Sequence, residues 1–101
     1  MEKKLIPTII QDYKTNDVYM LGFSTTESLK KTKKTGLVHF WSRSRKKLWR
    51  KGEESGNSLQ IKEIFFDCDN DSLLFKVKLI GKYTCHKNRT SCFFNKYDDI
   101  K

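Results

Sequence analysis

The chain has 101 residues, of which 37% are hydrophobic and 13% aromatic, and a formal net charge of +9. Its length predicts one domain spanning residues 1–101, and its aromatic share argues against a disordered chain. No apolar run approaches the roughly 20 residues of a membrane span, and the N-terminus lacks the apolar segment of a signal peptide, so we expect a cytoplasmic protein.

The first elements form a predicted β-hairpin. Residues 5–12 predict a strand with Pro7 near its start, where the missing N–H is tolerated. Residues 14–17 are turn-forming, and residues 18–23 predict the second strand.

A short helix is predicted after the hairpin. Ser24 suits the N-cap position because Glu27 follows three residues later, as in a capping box. Gly36 predicts the end of the helix at about Thr35, with several lysines in its last turns. The apolar stripe is thin, so we expect one short surface helix.

Three more strands are predicted in the second half. Residues 37–42 are rich in aromatics, residues 59–68 form an apolar run, and residues 73–79 alternate with a period of two. A basic run at residues 43–51 and a polar loop separate the first two of these strands. The fold class is therefore α+β, with mostly antiparallel strands and one helix.

An acidic segment separates the last two predicted strands. Asp67, Asp69 and Asp71 occur at every second position, so an extended backbone would place their carboxylates on one face. Neighbouring anions repel unless a cation neutralises them, and oxygen ligands favour magnesium or calcium. The alternative is a solvated acidic turn.

The three cysteines are Cys68, Cys85 and Cys92, and His86 follows the second of them. Thiolates with a nearby imidazole favour zinc, and three thiolates would leave a fourth position for water, as in catalytic sites. The alternatives are buried free thiols or a reactive thiol. His86 is a ligand, a general acid/base or a surface residue, and spacing does not decide among these.

The basic run combines cations with two tryptophans, Trp41 and Trp49, and is followed by Gly52 and Gly56. This composition is compatible with phosphate contact and stacking in a nucleic-acid-binding protein, or with phosphate binding and an aromatic wall for the base of a small molecule. The glycines favour a loop whose backbone approaches a ligand. The alternative is a solvated hairpin tip. The cations are Arg43, Arg45, Lys46, Lys47, Arg50 and Lys51.

Taken together, five segments resemble the phosphoribosyl-AMP cyclohydrolase family in the same order along nearly the whole chain. The sequence departs from the family's common pattern at Ser24-Thr25, where Met-Asn is usual, and at Lys87-Asn88, where Thr-Gly is usual. The second departure removes a glycine from a local turn, although Asn tolerates left-handed geometry better than most residues. The resembling segments are 5–12, 38–45, 48–56, 67–71 and 85–93.

The resemblance implies two metals and an intertwined homodimer. Zinc would be bound by Cys68 of one chain and by Cys85 and Cys92 of the other, and magnesium by Asp67, Asp69 and Asp71. A homodimer also suits a small chain rich in aromatic residues, because a partner would cover apolar surface. The aromatic residues expected to be difficult for one chain to cover include Phe40, Trp41, Phe65, Phe66, Phe93 and Phe94.

The resemblance further implies an enzyme of histidine biosynthesis. Zinc-activated water would open the N1–C6 bond of the adenine ring of phosphoribosyl-AMP, giving phosphoribosylformimino-aminoimidazole carboxamide ribonucleotide. His86 would act as general acid/base. Some relatives carry a second, pyrophosphohydrolase domain, which we do not expect in a chain ending at Lys101. The residues expected to contact the phosphates and the base are Arg43, Arg45, Trp49, Arg50 and Lys51.

Two other functions use part of the same features. A small zinc-containing nucleic-acid-binding protein would use the positive charge, the tryptophans and the cysteines, but it leaves the acidic segment unexplained. A redox or metal-handling protein would use the thiols, but it leaves the basic run unexplained.

Overall fold

The computed structural model describes residues 4–97, which form six strands and one helix. Residues 1–3, on which the expectation of no signal peptide partly rests, and residues 98–101 lie outside the described part. The elements are β1 (Ile6–Asp12), β2 (Val18–Ser24), α1 (Thr26–Thr35), β3 (His39–Ser42), β4 (Lys47–Arg50), β5 (Ser58–Phe66) and β6 (Leu73–Ile80).

The strands form two sheets. The larger sheet has the order β2-β1-β6-β5, and the smaller one pairs β3 with β4. Neighbours are antiparallel except β1 and β6, which run parallel. The prediction of an α+β fold with mostly antiparallel strands and one short helix is confirmed.

The hydrophobic core contains buried residues of β1, β2, β3, β5 and β6, among them Ile10, Phe40 and Phe75. The period-two pattern of β6 is confirmed, because Leu73, Phe75 and Val77 are buried while the residues between them are more exposed. Phe40 was expected to be hard to cover, but it is fully buried in this core. Other aromatic residues fit the expectation of uncovered surface: Phe65, Phe66, Phe93 and Phe94 remain exposed.

The N-terminus of α1 differs from the prediction by one residue. The N-cap is Thr25, whose hydroxyl accepts from the Ser28 N–H, while the Ser28 hydroxyl accepts from the Thr25 N–H. Ser24 instead ends β2, where its hydroxyl lies 2.7 Å from the Thr8 hydroxyl. The end at Thr35 is confirmed, since Gly36 caps the helix with φ of 78°. No helix within residues 4–97 is long and apolar enough to cross a membrane.

The basic run contains a strand that the sequence interpretation missed. Lys47–Arg50 pairs with β3 as β4, which places Trp49 opposite Phe40 with ring centroids 5.5 Å apart. Polar and apolar residues do not alternate regularly along this run, so the sequence alone does not indicate a strand. The strand forms because residues 47–50 pair with β3. The following β5 ends at Phe66, before the predicted limit at Cys68, because Asp67 begins a turn.

Candidate functional site

A cavity of about 330 Å³ lies between the end of β4, the loop that follows it and the segment 84–92. We call it the first cavity. It brings together side chains that the sequence analysis assigned to different roles, namely thiols, an imidazole and cations. Among its lining residues are Arg45, Trp49, Arg50, Lys51, Cys85, His86 and Cys92.

The two later cysteines are brought to the cavity by a tight turn. The Cys85 N–H donates to the Arg89 carbonyl at 3.0 Å, and the Asn88 N–H donates to the Cys85 carbonyl at 3.1 Å. Asn88 has φ of 59°, so it adopts the left-handed conformation that the family's usual glycine would favour. The replacement of glycine by Asn is therefore compatible with the turn.

Cys92 is held from the other side by β2. Its N–H donates to the Tyr19 carbonyl at 2.7 Å, and the Ser91 hydroxyl donates to the Val18 carbonyl at 2.7 Å. Tyr19 is itself fixed, because its hydroxyl donates to the Asp12 carboxylate at 2.7 Å. The position of Cys92 thus depends on contacts that are distant in sequence.

Lys51 belongs to the basic run and also lies near the two thiols of the first cavity. Its ammonium donates to the Thr84 carbonyl. Burial lowers the pKa of Lys51, while the nearby Cys92 and Cys85 oppose this effect. Partial burial raises the pKa of Cys92, and so does a hydrogen bond with Cys85, whereas Lys51 lowers it. The net effect is a raised pKa for Cys92, so Lys51 only partly offsets the burial that disfavours its thiolate.

His86 is an exposed residue on the wall of the first cavity, directly after Cys85. This position leaves its imidazole accessible to a ligand. His39 lines neither this cavity nor the second cavity described below, and its Nδ1 lies 2.8 Å from the Leu37 carbonyl. Of the two histidines, only His86 belongs to the candidate site.

Four of the six cations of the basic run line two cavities, whereas Lys46 and Lys47 line neither. A second cavity of about 630 Å³ lies between β2 and the hairpin formed by β3 and β4, and Arg43 lines it. Arg50 and Lys51 line only the first cavity, whereas Arg45 and Trp49 line both. The expected substrate contacts therefore form one continuous surface, with Arg43 on the far side.

The loop after Lys51 contributes residues that the sequence analysis missed, Glu53, Glu54 and Ser55 among them. Gly52 has φ of +91°, and a Cβ there would lie 2.5 Å from the Asn57 carbonyl oxygen. The loop brings residues 52 and 57 so close together that only glycine fits at position 52. The presence of glycine there is explained without a ligand. In the sequence, charged residues that line a cavity look the same as charged residues of a solvated loop, so these positions could not be predicted.

Thr84 is a further residue of the first cavity that the sequence analysis missed. It is buried, and its hydroxyl has no hydrogen-bond partner among residues 4–97. A buried polar atom of this kind is uncommon in folded proteins. A lone threonine before Cys85 gave no signal in the sequence.

The acidic segment forms a turn, which is one of the two conformations that the sequence left open. The Asn70 N–H donates to the Asp67 carbonyl at 3.0 Å, and Asn70 has φ of 59°. The turn nevertheless brings carboxylate oxygens of Asp67, Asp69 and Asp71 within 4.8 Å of one another. The backbone N–H of Asp71 donates to the Asp67 carboxylate at 3.0 Å and lowers its pKa.

Cys68 lies in this acidic turn, where it is exposed. Within residues 4–97, the only group of three His, Cys, Asp or Glu side chains close enough to hold one ion consists of the three aspartates. Cys68 therefore does not meet Cys85 and Cys92 within one copy of the chain. The two later cysteines are the soft type of donor that zinc prefers, and the aspartates are the hard type that magnesium prefers.

Comparison with known proteins gives a consistent result. A sequence model of the family "Phosphoribosyl-AMP cyclohydrolase" matches residues 20–94. A protein of that name from Archaeoglobus fulgidus is 52% identical over 97 residues, covering 96% of this chain and 89% of the relative. One from Methanothrix thermoacetophila is 53% identical over 97 residues, covering 96% and 79%.

A longer relative is also similar to this chain. The "Histidine biosynthesis bifunctional protein HisIE" of Caldanaerobacter subterraneus is 50% identical over 98 residues, which cover 97% of this chain and 47% of the relative.

Proposed function

This chain belongs to the phosphoribosyl-AMP cyclohydrolase family, and on that premise we propose that it hydrolyses phosphoribosyl-AMP in histidine biosynthesis. The observation that carries the proposal is the first cavity, which combines a thiol pair, an imidazole and cations of the kind that bind phosphate. A substrate with an electrophilic base and two phosphates requires these three kinds of group together.

The proposed reaction opens the adenine ring. The oxygen of water bonds to C6, the N1–C6 bond breaks, and a proton goes to N1. Both hydrogens and the oxygen of water remain in the single product, phosphoribosylformimino-aminoimidazole carboxamide ribonucleotide. The protein must therefore remove a proton from water and supply one to the ring nitrogen.

His86 is proposed to move these protons. It is exposed on the cavity wall, next to a proposed metal ligand. An imidazole titrates near neutral pH, so it can accept a proton in one step and donate it in the next.

Cys85 and Cys92 are proposed to hold zinc at the cavity. The fit is supported by their shared position beside Lys51 and by the preference of zinc for thiolates. The chemistry that a bound zinc supplies is a water whose pKa is lowered to about 7. The turn at Asn88 and the contacts of Cys92 with β2 hold the two sulfurs at the cavity.

The third thiol, Cys68, is proposed to come from a second copy of the chain. Two features support such a homodimer. Cys68 is exposed and forms no ion-binding group with the other thiols among the described residues. Phe65 and Phe66, on the strand that leads to Cys68, are exposed at 44% and 50%. Apolar side chains of this size favour contact with a partner.

Asp67, Asp69 and Asp71 are proposed to bind magnesium. Their oxygens already lie within 4.8 Å of one another in the turn. Backbone N–H donors keep Asp67 ionised, which supports cation binding. Arg43, Arg45, Arg50 and Lys51 are proposed to bind the phosphates, with Trp49 against the base.

The test is turnover of phosphoribosyl-AMP by purified protein, with product followed by chromatography and metal content by elemental analysis. His86→Gln should lower kcat by about 10²–10⁴-fold, the usual contribution of a general acid/base. Lys87→Gln is the matched control, since Lys87 is the adjacent exposed residue. Absence of turnover, together with tight binding of RNA at physiological salt, would instead favour a nucleic-acid-binding protein.

A further inference from the structure

The first and second cavities meet at a shared wall. Arg45, Trp49 and Met20 line both of them. The first cavity extends from this wall towards the thiols, and the second extends towards β2 and the hairpin tip. Together they form a surface with two arms and a common centre.

Each arm has its own cation. Arg50 lines only the first cavity, where its guanidinium donates to the Ser58 hydroxyl at 3.1 Å. Arg43 lines only the second, where its guanidinium lies 4.0 Å from the centre of the Phe23 ring. Both side chains are thus restrained, which reduces the entropy lost when they bind a phosphate.

The reactive groups occupy only one of the arms. Cys85, His86 and Cys92 line the first cavity and not the second. Whatever part of a ligand is attacked must therefore lie in the first cavity. A part of the ligand that occupied the second cavity would therefore be one that does not react.

The proposed substrate carries two phosphoribosyl groups on opposite sides of the purine. C6, which is attacked, is bonded to N1, whereas N9 lies on the far side of the other ring. With C6 beside the thiols, the group on N1 stays in the first cavity and the group on N9 points away from it.

We propose that the two cavities bind different arms of the substrate. The 5′-phosphate of the AMP half, attached through N9, binds Arg43 in the second cavity. The phosphate of the N1-linked ribose binds Arg50 in the first. Trp49 lies between them, against the base. This assignment rests on the proposed function, because it takes phosphoribosyl-AMP as the ligand.

AMP is the probe that separates the two arms, because it carries the base and the N9 arm but lacks the N1 arm. Its dissociation constant would be measured by calorimetry and by competition with turnover. Arg43→Ala should weaken AMP about tenfold or more, as expected for a lost charged hydrogen bond. Arg50→Ala should leave AMP binding within about twofold and still raise the KM for phosphoribosyl-AMP.

Two further variants control the comparison. Lys34→Ala removes one positive charge from exposed helix surface outside both cavities and should change neither constant. Arg43→Lys keeps the charge but loses the planar fork, so it should bind AMP with intermediate affinity. Thermal melting of each variant shows whether the fold is retained.

The outcomes distinguish this assignment from the proposed function. If wild-type protein turns over phosphoribosyl-AMP but Arg50→Ala weakens AMP as much as Arg43→Ala, or more, the assignment of arms is wrong. It is also wrong if the wild type does not bind AMP. If AMP binding depends on Arg43 as expected but phosphoribosyl-AMP is not turned over, the proposed function fails.

Discussion

The two candidate metal sites are built in opposite ways. The acidic turn, residues 67–71, is assembled by short-range hydrogen bonds such as that from the Asp71 N–H to the Asp67 carboxylate. The thiol segment, residues 84–92, is assembled by contacts with β2 and Lys51 that are distant in sequence. The carboxylates therefore converge within one short turn, while the thiols converge only when the sheet is formed.

This difference has a thermodynamic consequence. Metal binding at a site that exists only in the folded state stabilises that state. We expect zinc to stabilise the fold and the proposed dimer strongly, because its proposed ligands come from separate parts of the fold and from two chains. Magnesium should have a smaller effect, since its ligands are already close within a five-residue turn.

The largest effect is expected from loss of a thiol. Cys68→Ser, Cys85→Ser or Cys92→Ser should each abolish zinc binding and turnover, because the sequence contains only three cysteines. Elemental analysis and a turnover assay measure both effects. Thr90→Ser, an exposed change in the same segment, is the control. A Cys92→Ser protein that kept full zinc would remove this thiol from the site.

The next largest effect distinguishes a shared site from one within a single chain. Cys68→Ser and Cys85→Ser proteins are unfolded together and refolded. In a hybrid dimer, one zinc site carries both defects and the other carries neither. Statistical mixing makes about half of the dimers hybrid, so about a quarter of all sites should be active. Each variant refolded alone is the control.

An inactive mixture in which hybrid dimers are present would contradict the shared site. Hybrid dimers can be detected by placing different affinity tags on the two variants. The three thiols would then have to meet within one chain, which would require the acidic turn to move towards the first cavity.

Local patterns in the sequence predicted most of the fold. The alternation in β6 and the glycine after α1 are short-range signals, and both predictions are confirmed. The helix start was wrong by one residue, since Ser24 and Thr25 are both good N-caps and the contact between Ser24 and Thr8 decides between them. β4 was missed because its strand conformation comes from pairing with β3.

The sequence predicted which residue types form the candidate site better than it predicted where those residues lie. His86, Cys85 and Cys92 were singled out by residue type, and the structure brings them to one cavity. No sequence pattern predicted that Arg43 and Arg50 line different cavities, since this depends on how the hairpin packs against β2. The spacing of the three aspartates left an extended segment and a solvated turn as alternatives, and the structure has the turn, in which the carboxylates still lie close together.

A smaller effect is expected in the acidic turn. Asp69→Asn should raise the magnesium concentration needed for half-maximal activity, because it removes one anionic ligand and leaves the turn intact. Zinc content should not change. A mild chelator should abolish activity that magnesium restores, with zinc still bound. Asp17→Asn, in an exposed turn elsewhere, is the matched control. If activity did not depend on magnesium, the acidic segment would be a structural turn and not a metal site.

The smallest effect tests how β2 holds the thiol segment. The Ser91 hydroxyl donates to the Val18 carbonyl at 2.7 Å and accepts from the Phe93 N–H at 3.0 Å. Ser91→Ala removes both bonds, which should lower the free energy of unfolding by about 1 kcal/mol. Zinc affinity should fall several-fold because Cys92 loses part of its support, while the magnesium requirement stays the same.

Two substitutions sharpen this last comparison. Ser91→Thr keeps the hydroxyl and should restore zinc affinity. Ser72→Ala makes the same chemical change beside the acidic turn, where the hydroxyl lies 3.5 Å from the Asp71 carboxylate, and should leave zinc affinity unchanged. Denaturant unfolding and zinc competition with a chelator measure the two quantities. If Ser91→Ala and Ser72→Ala weaken zinc equally, the two sites are coupled and the contrast between local and long-range assembly does not hold.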